Sequence, residues 1–439
     1  MHGLNPQAIT LVVLAAVVLA MIWDKLRSDV VALTGAAILL LTGVVRPIQV
    51  QSAFASPAII ALASLFVIAY AMELSGLLDA SIRGLASLCR RIGKAGLWIV
   101  IALAGVASSF LNNTPIVVLG APVIRDAARS LGLSPKVFLM PLSYAAVLGG
   151  CCTLIGTSTN LLVNDMAGVA GQPKFGIFEI TPVGLMVAIT GGIYLMFFSG
   201  RLIRGNGRNG EPVALESTES TSLGLMGGQV GTATAFASER PLRPLKAFAS
   251  LTVFIAVIVL SALNFAPIAA CAFAGAVLLI LIRVITADEA YSGLRPDVLM
   301  LIAGMLVLGI ALRVSGVADS ATALLVGNLE QLSPLLALIV IYGATLFATE
   351  LLSNATVAVL FTPVAVSMAE ALHVSPRPFL VAVMIAGSAA FATPFGYQTN
   401  VLVYQMGGYN FLDFVKVGLP LNLITWTAAI VAIPIFFPF

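Results

Sequence analysis

The stretch SFLNNTPIVVLGAPV (109–123) has a counterpart in ELLSNATVAVLFTPV (350–364), and this pair decides how the chain is built. Each sets a polar knot, Asn112-Asn113-Thr114 or Ser353-Asn354-Ala355, between two apolar runs, 97–111 and 115–128 or 334–351 and 356–373. The arms are too short and the joints too tight for two full membrane crossings. Each pair therefore reads as a re-entrant hairpin, 97–128 and 334–373, entering and leaving by one face. The repetition extends outward. Residues 63–79 (ASLFVIAYAMELSGLLD) and 303–319 (AGMLVLGIALRVSGVAD) share six of seventeen positions. GTSTNLLVNDMAG (156–168) lies against GYQTNVLVYQMGG (396–408), and Ser134-Pro135 against Ser375-Pro376. Apolar composition imitates similarity between helices, but it does not set Asn, Thr and Ser-Pro marks in one order at an offset of 240 or 241.

Composition fixes the solvent. Of 439 residues 60% are hydrophobic and 9% charged, where a soluble domain carries about 25% charged residues; mean hydropathy is +1.07. Only a polytopic α-helical membrane protein fits, since the apolar residues run continuously rather than alternating as in an outer-membrane barrel. Nucleic-acid binding is excluded by a net charge of +3 and the lack of a basic block. No HExxH, GxSxG or intramembrane acid pair is present, so an enzyme is not expected. Cys89, Cys151, Cys152 and Cys271 have no metal or disulfide spacing, and His2 and His373 are the only histidines, so no metal centre of that kind is expected. Residues 9–23 read as a first transmembrane helix rather than a cleaved leader, because no Lys or Arg precedes them and no small-residue cleavage site follows. The GxGxxG letters of 205–210 follow no strand and open no helix, and read as a flexible joint.

The remaining apolar runs are 30–45, 57–78, an interrupted 136–170 and 181–200, then 246–264, 267–286, 298–318, an interrupted 378–406 and 417–437. With hairpins that do not cross, each half crosses five times, and an odd number inverts the second half. The expected fold is an all-α polytopic membrane protein of two inverted repeats, each of five transmembrane helices, one re-entrant hairpin and one broken helix. Its parts are a first repeat (1–200, scaffold helices with an inward hairpin and broken helix 136–170), a cytoplasmic linker (201–245) and a second repeat (246–439, with an outward hairpin and broken helix 378–406). Alternating the loops between two faces puts 18 of the 22 Lys and Arg on one face and only Arg46, Lys174, Arg313 and Arg377 on the other. The rich face is then cytoplasmic and both termini lie outside, in an inner (cytoplasmic) membrane.

Four polar clusters interrupt the spans: 108–114, 156–160, 349–356 and 393–400. Unwound backbone at membrane depth is tolerated only where it lines a cavity or is buried in protein, and interrupted helices at matching places in two halves point to a transporter's binding site. A half-helix that ends there leaves carbonyl oxygens suited to Na⁺; one that begins there offers N–H groups suited to an anion. No Lys or Arg falls in these clusters, so cation and anion are expected to stabilise each other. Glu350 reads either as a cation or proton carrier or as a carboxylate hydrogen-bonded to the hairpin backbone, and Asp165 as a supporting group. Glu73 and Arg313, at equivalent positions, read as snorkelling to the interface.

At LNNTP (111–115), IGTSTN (155–160), ELLSNAT (350–356), ATPFGYQTN (392–400) and GGYNFLDFVKVGLPLN (407–422) the chain resembles the divalent-anion/sodium symporter family, solute carrier family 13 and its bacterial relatives, within the ion transporter superfamily. The resemblance implies a homodimeric scaffold and a transport domain moving in an elevator-like manner. It implies that Asn112, Asn113 and Thr114 form one tip and Ser353, Asn354 and Ala355 the other, with Thr157 and Thr393-Pro394 bordering the substrate. A first sodium site would draw on Ser108, Asn113 and Gly156, a second on Thr349, Asn354 and Ala392. Tyr397-Gln398-Thr399-Asn400 departs from the dicarboxylate carriers and looks like the bacterial and algal sulfate branch, while the short linker leaves no room for the TrkA-C domains many of those relatives carry. The expected function is sodium-coupled symport of a small divalent anion, sulfate first, without other cofactor. The alternatives are C4-dicarboxylate symport and a proton-coupled or channel-like oxyanion exporter.

Overall fold

The computed structural model describes residues 5–23, 26–77, 92–204, 241–263, 265–317 and 333–439, with isolated positions 80, 81, 84 and 320. Cys89, Asp79, Asp319 and most of the linker, 205–240, lie outside the described residues. Among those described, the regular structure is entirely helical. The first half comprises α1 (Pro6–Trp23), α2 (Ser28–Leu41), α3 (Pro47–Phe54), α4 (Pro57–Leu74), α5 (Lys94–Ser108), α6 (Asn113–Ser130), α7 (Lys136–Gly150), α8 (Ser158–Val169) and α9 (Thr181–Tyr194), which runs on through a π-turn to Arg204. The second comprises α10 (Pro244–Ala262), α11 (Ile268–Leu281), α12 (Ala287–Gly293), α13 (Pro296–Val314), α14 (Pro334–Thr349), α15 (Asn354–Ala371), α16 (Arg377–Ser388), α17 (Gln398–Gly407) and α18 (Phe411–Phe436).

The same order recurs, and so does the backbone. Gly43 and Arg283, Gly76 and Gly316, and Gly132 and His373 stand at matching places after α2/α11, α4/α13 and α6/α15, and all six adopt positive φ, between 54° and 77°. The Ser-Gly pairs at 75–76 and 315–316 thus mark helix ends that need a left-handed residue. Packing is reciprocal as well: α2 lies on α13 and α11 on α4, while α5 lies on α7 and α14 on α16. The second arm of each hairpin reaches across, α6 to α17 and α15 to α8, so each tip meets the break of the other half.

The short α3 and α12 were not expected; their polar sequences, PIQVQSAF and ADEAYSG, carry no apolar run. They are held by N-terminal caps, Gln49 returning to the Arg46 N–H and Glu289 to Thr286. Among the described residues, six segments are long and apolar enough to cross a membrane: Pro47–Leu74, Thr181–Ile203, Pro244–Ala262, Pro296–Val314, Asn354–Ala371 and Phe411–Phe436. Side chains such as Val12, Leu245, Phe273 and Ile435 are exposed on the outside, as a lipid-facing surface requires. Glu73 departs from expectation: it is buried in the last turn of α4 rather than reaching an interface, whereas Arg313 is exposed. Cys151, Cys152 and Cys271 are buried and unbridged.

Candidate functional site

No helix runs through Asn112 or Ser353. Helix α5 stops at Ser108 and α14 at Thr349; after four intervening residues α6 and α15 begin, capped by Asn112 (Oδ1 accepting from Thr114 N, 3.2 Å) and Ser353 (Oγ accepting from Thr356 N, 3.3 Å). The long segments also unwind, between Gly150 and Ser158 and between Ser388 and Gln398. The two breaks are built alike. Asn160 Nδ2 donates to the Thr153 and Gly150 carbonyls (2.9 and 3.5 Å), and Asn400 Nδ2 to those of Thr393 and Ala390 (3.3 and 2.8 Å). Thr153 Oγ1 accepts from Gly156 N and Thr393 Oγ1 from Gly396 N, both at 3.1 Å, while each hydroxyl donates to a tip carbonyl, of Ser109 and Glu350 respectively. Asn160 and Asn400 thus satisfy carbonyls that an unwound helix would otherwise orphan in hydrocarbon.

Behind the first tip oxygens crowd together. Ser108 Oγ donates to Asn113 Oδ1. A Cβ on Gly150 would lie 2.9 Å from Asn113 Oδ1 and 3.3 Å from the Gly156 carbonyl oxygen; one on Gly156 would lie 2.5 Å from the Gly150 oxygen and 2.9 Å from that of Ser109. Only glycine lets these carbonyls come so near. At the second tip Thr349 Oγ1 donates to Asn354 Oδ1 (2.9 Å) and to the Gly387 carbonyl (2.8 Å). Both clusters are neutral oxygen sets, the donor type a hard monovalent cation takes. Ser108, Asn113 and Gly156 come together, as do Thr349 and Asn354; Ala392 is turned toward Glu350 through its N–H.

Glu350 is the charged centre of the second half. Its carboxylate accepts from Phe391 N (2.8 Å), Ala392 N (2.7 Å), Thr393 N (2.9 Å), Thr393 Oγ1 (2.9 Å) and Asn422 Nδ2 (2.7 Å). It therefore binds the break, not its own hairpin backbone, and Ser109 stands at the equivalent position of the first half. Asp165 is occupied elsewhere, by Ser56 Oγ and by Lys174 Nζ at 2.7 Å.

A cavity of about 460 Å³ joins the four clusters. Asn112 and Thr114, Thr157 and Ser158, Ser353, Asn354 and Ala355, and Tyr397 and Gln398 all line it, so the first turns or caps of α6, α8, α15 and α17 converge on one space. Asn113 lies buried behind this wall; Thr393 and Pro394 do not line it. Among the described residues, the cations on the wall are Arg27 and Arg295, each paired with an aspartate two residues on, Asp29 (2.9 Å) and Asp297 (3.2 Å). Sequence reasoning missed Gly150, Thr153, Gly387 and Asn422. The offset of 240 that relates Thr153 to Thr393 and Gly150 to Ala390 held the signal for two of them.

The family profile described as "Citrate transporter" (CitMHS) matches residues 18–374 and 351–439. The chain belongs to the citrate transporter family, in the ion transporter superfamily. It is a multi-pass membrane transporter rather than an enzyme. An uncharacterized transporter of Synechocystis is 26% identical, covering 95% of either chain. That alignment runs to 587 positions against 439 residues here, so the relative carries more than a hundred residues this family member lacks. A probable sodium/sulfate cotransporter of Chlamydomonas reinhardtii is 44% identical over 108 residues, 23% of this chain and 12% of its own length. The fold is that of the YdaH transporter of Alcanivorax borkumensis (TM-score 0.61, 14% identity, 98% of each chain) and of MtrF of Neisseria gonorrhoeae (TM-score 0.63, 14% identity, 99% of this chain and 95% of that one).

Proposed function

We propose that this transporter is a sodium-coupled symporter of a small divalent oxyanion, sulfate first, and that its two halves are inverted repeats. The observation that carries this reading is the convergence of four helix N-termini on one cavity, with neutral oxygen cages directly behind two of them. The N-termini supply partial positive charge for the anion and the cages take Na⁺. In this reading Asn112, Thr114, Thr157, Ser353, Asn354 and Ala355 face the anion; Ser108, Asn113 and Gly156 hold one Na⁺, and Thr349, Asn354 and the Gly387 carbonyl the other. Thr393 and Pro394 shape the break that carries Glu350. The names of the Chlamydomonas sodium/sulfate cotransporters support both ion and anion.

Inversion is supported by which loops touch. Gln7 meets Gly316 and Ser320, Arg377 meets Glu179 and Pro173, Lys136 meets Gly408, and Arg243 N donates to the Ser75 carbonyl. Each contact joins two loops that the charge count assigns to one face. The cavity wall includes Arg27, Ser28 and Asp29 and Arg295, Asp297 and Val298, next to the face the charge count makes cytoplasmic, which supports reading this as an inward-open state of an alternating-access, elevator-type cycle. A homodimer within the inner membrane, with both termini outside, completes the proposal.

A second reading has one observation in its favour: the family profile is described by citrate, and the cavity exceeds what sulfate fills. Proteoliposomes separate the two. An inward Na⁺ gradient should drive accumulation of labelled sulfate, with succinate and citrate competing weakly. Strong competition by either moves the substrate to carboxylates, and uptake that ignores Na⁺ but follows a proton gradient removes the sodium assignment.

A further inference from the structure

The two cages differ in one respect that bears on cation binding. Asn113 Nδ2 donates to the Tyr397 hydroxyl at 2.7 Å. That hydroxyl in turn meets Thr157, whose Oγ1 lies 3.4 Å from Thr159 Oγ1. Asn113 thus donates to Tyr397, and Tyr397 neighbours Thr157. The hydrogen bond crosses between the halves, because Asn113 sits on the first tip and Tyr397 ends the second break. Thr157, which stands at Tyr397's equivalent place in the first half, turns its hydroxyl to Thr159 and Tyr397 and serves no such purpose for Asn354.

The orientation of the Asn113 amide matters because of what surrounds it. Its Oδ1 points toward a region already crowded by the carbonyl oxygens of Gly150, Gly156 and Ser109. There Oδ1 already accepts from Ser108 Oγ, but rotating the amide would let its NH₂ donate to those carbonyls instead. Rotated, the NH₂ group would occupy the position of the cation. The Tyr397 hydroxyl, accepting from Nδ2, and the Ser108 hydroxyl, donating to Oδ1, both oppose the rotation. We infer that Tyr397 is a positioning residue for the first sodium site: its hydroxyl, with that of Ser108 on the other side of the amide, locks the Asn113 carboxamide with the oxygen facing the cage. This rests on the sodium reading above. It also gives the two cages different characters. The first is preorganised by the opposite half of the protein, whereas the second tip has no counterpart of Tyr397 and instead lies beside the Glu350 carboxylate.

The test is the Na⁺-dependent rise in melting temperature of purified protein, with choline as the balancing cation and no anion substrate present. In Tyr397→Phe the ring stays and only the acceptor is lost, so the Na⁺ concentration giving half the shift should rise about five- to tenfold, the worth of one buried hydrogen bond. Thr157→Val, which frees the tyrosine hydroxyl, should move it the same way by less. In an Asn113→Asp background both side-chain oxygens accept, orientation no longer matters, and adding Tyr397→Phe should change the midpoint by under about twofold. An unchanged midpoint in both Tyr397→Phe and Thr157→Val overturns the inference. So does an equal loss with and without Asn113→Asp, which would mean that Tyr397 merely braces the fold. A wild-type protein whose melting does not distinguish Na⁺ from choline overturns the sodium reading itself, a result separate from either of these.

Discussion

Glu350 and Ser109 occupy the same place at the two tips and do different work. Ser109 contributes its backbone carbonyl, to Thr153, whereas Glu350 contributes a carboxylate that ties the second tip to three successive N–H groups and to Asn422. Ser109→Ala removes only a long hydrogen bond to the Gly105 carbonyl and should lower stability by under about 1 kcal/mol. Glu350→Gln leaves several buried donors short of an acceptor and should lower stability by about 1–3 kcal/mol, read as a drop in melting temperature in Na⁺-free buffer. A Glu350→Gln protein as stable as wild type would mean that the carboxylate does not latch the break. The sequence announced Glu350 as an acid near a tip but not its partners, since residues 391–393 and Asn422 reach it only through tertiary packing. Asn113 and Asn354 were legible from their duplicated context. Tyr397 was legible as a departure from a family pattern, not as a neighbour of Asn113.

Among the elements, the close approach of helices is what glycine permits. A Cβ on Gly149 would lie 1.9 Å from the Gly105 carbonyl oxygen where α7 crosses α5, while one on Gly192 meets nothing within 4 Å. Gly149→Ala should cost about 1–3 kcal/mol or prevent folding, and Gly192→Ala should be neutral or mildly stabilising, as thermal melts of the two will tell. Arg283 and His373 carry the reverse defect. They hold the left-handed backbone that glycine holds at 43 and 132, so His373→Gly should raise stability by about 1 kcal/mol. No rise would mean that the backbone relaxes there in solution. Hairpins and breaks were readable because polar residues in apolar runs stand out. Helices α3 and α12 were not, because eight and seven residues fixed by caps leave no periodic signal.

Across the whole molecule, composition alone indicated a membrane protein, and the offset of about 240 residues indicated its doubling. What no single stretch of sequence contains is the crossing over: the second arm of each hairpin packs on the far half's broken helix, which brings four N-termini to one cavity. Inversion makes a sharp statement about faces. Ile48 and Asp288 are exposed and equivalent, on α3 and α12. In intact cells, Ile48→Cys should react with an impermeant thiol reagent and Asp288→Cys only after permeabilisation; equal reactivity would mean that the halves are parallel. The central claim, however, is that cation and anion are bound side by side by unwound backbone and so stabilise each other. Calorimetric titration of sulfate into the purified protein at rising Na⁺ measures this directly. The account predicts that sulfate affinity climbs by about five- to 150-fold as Na⁺ saturates, with Na⁺ affinity climbing by the same factor in sulfate. Sulfate affinity indifferent to Na⁺ would contradict it.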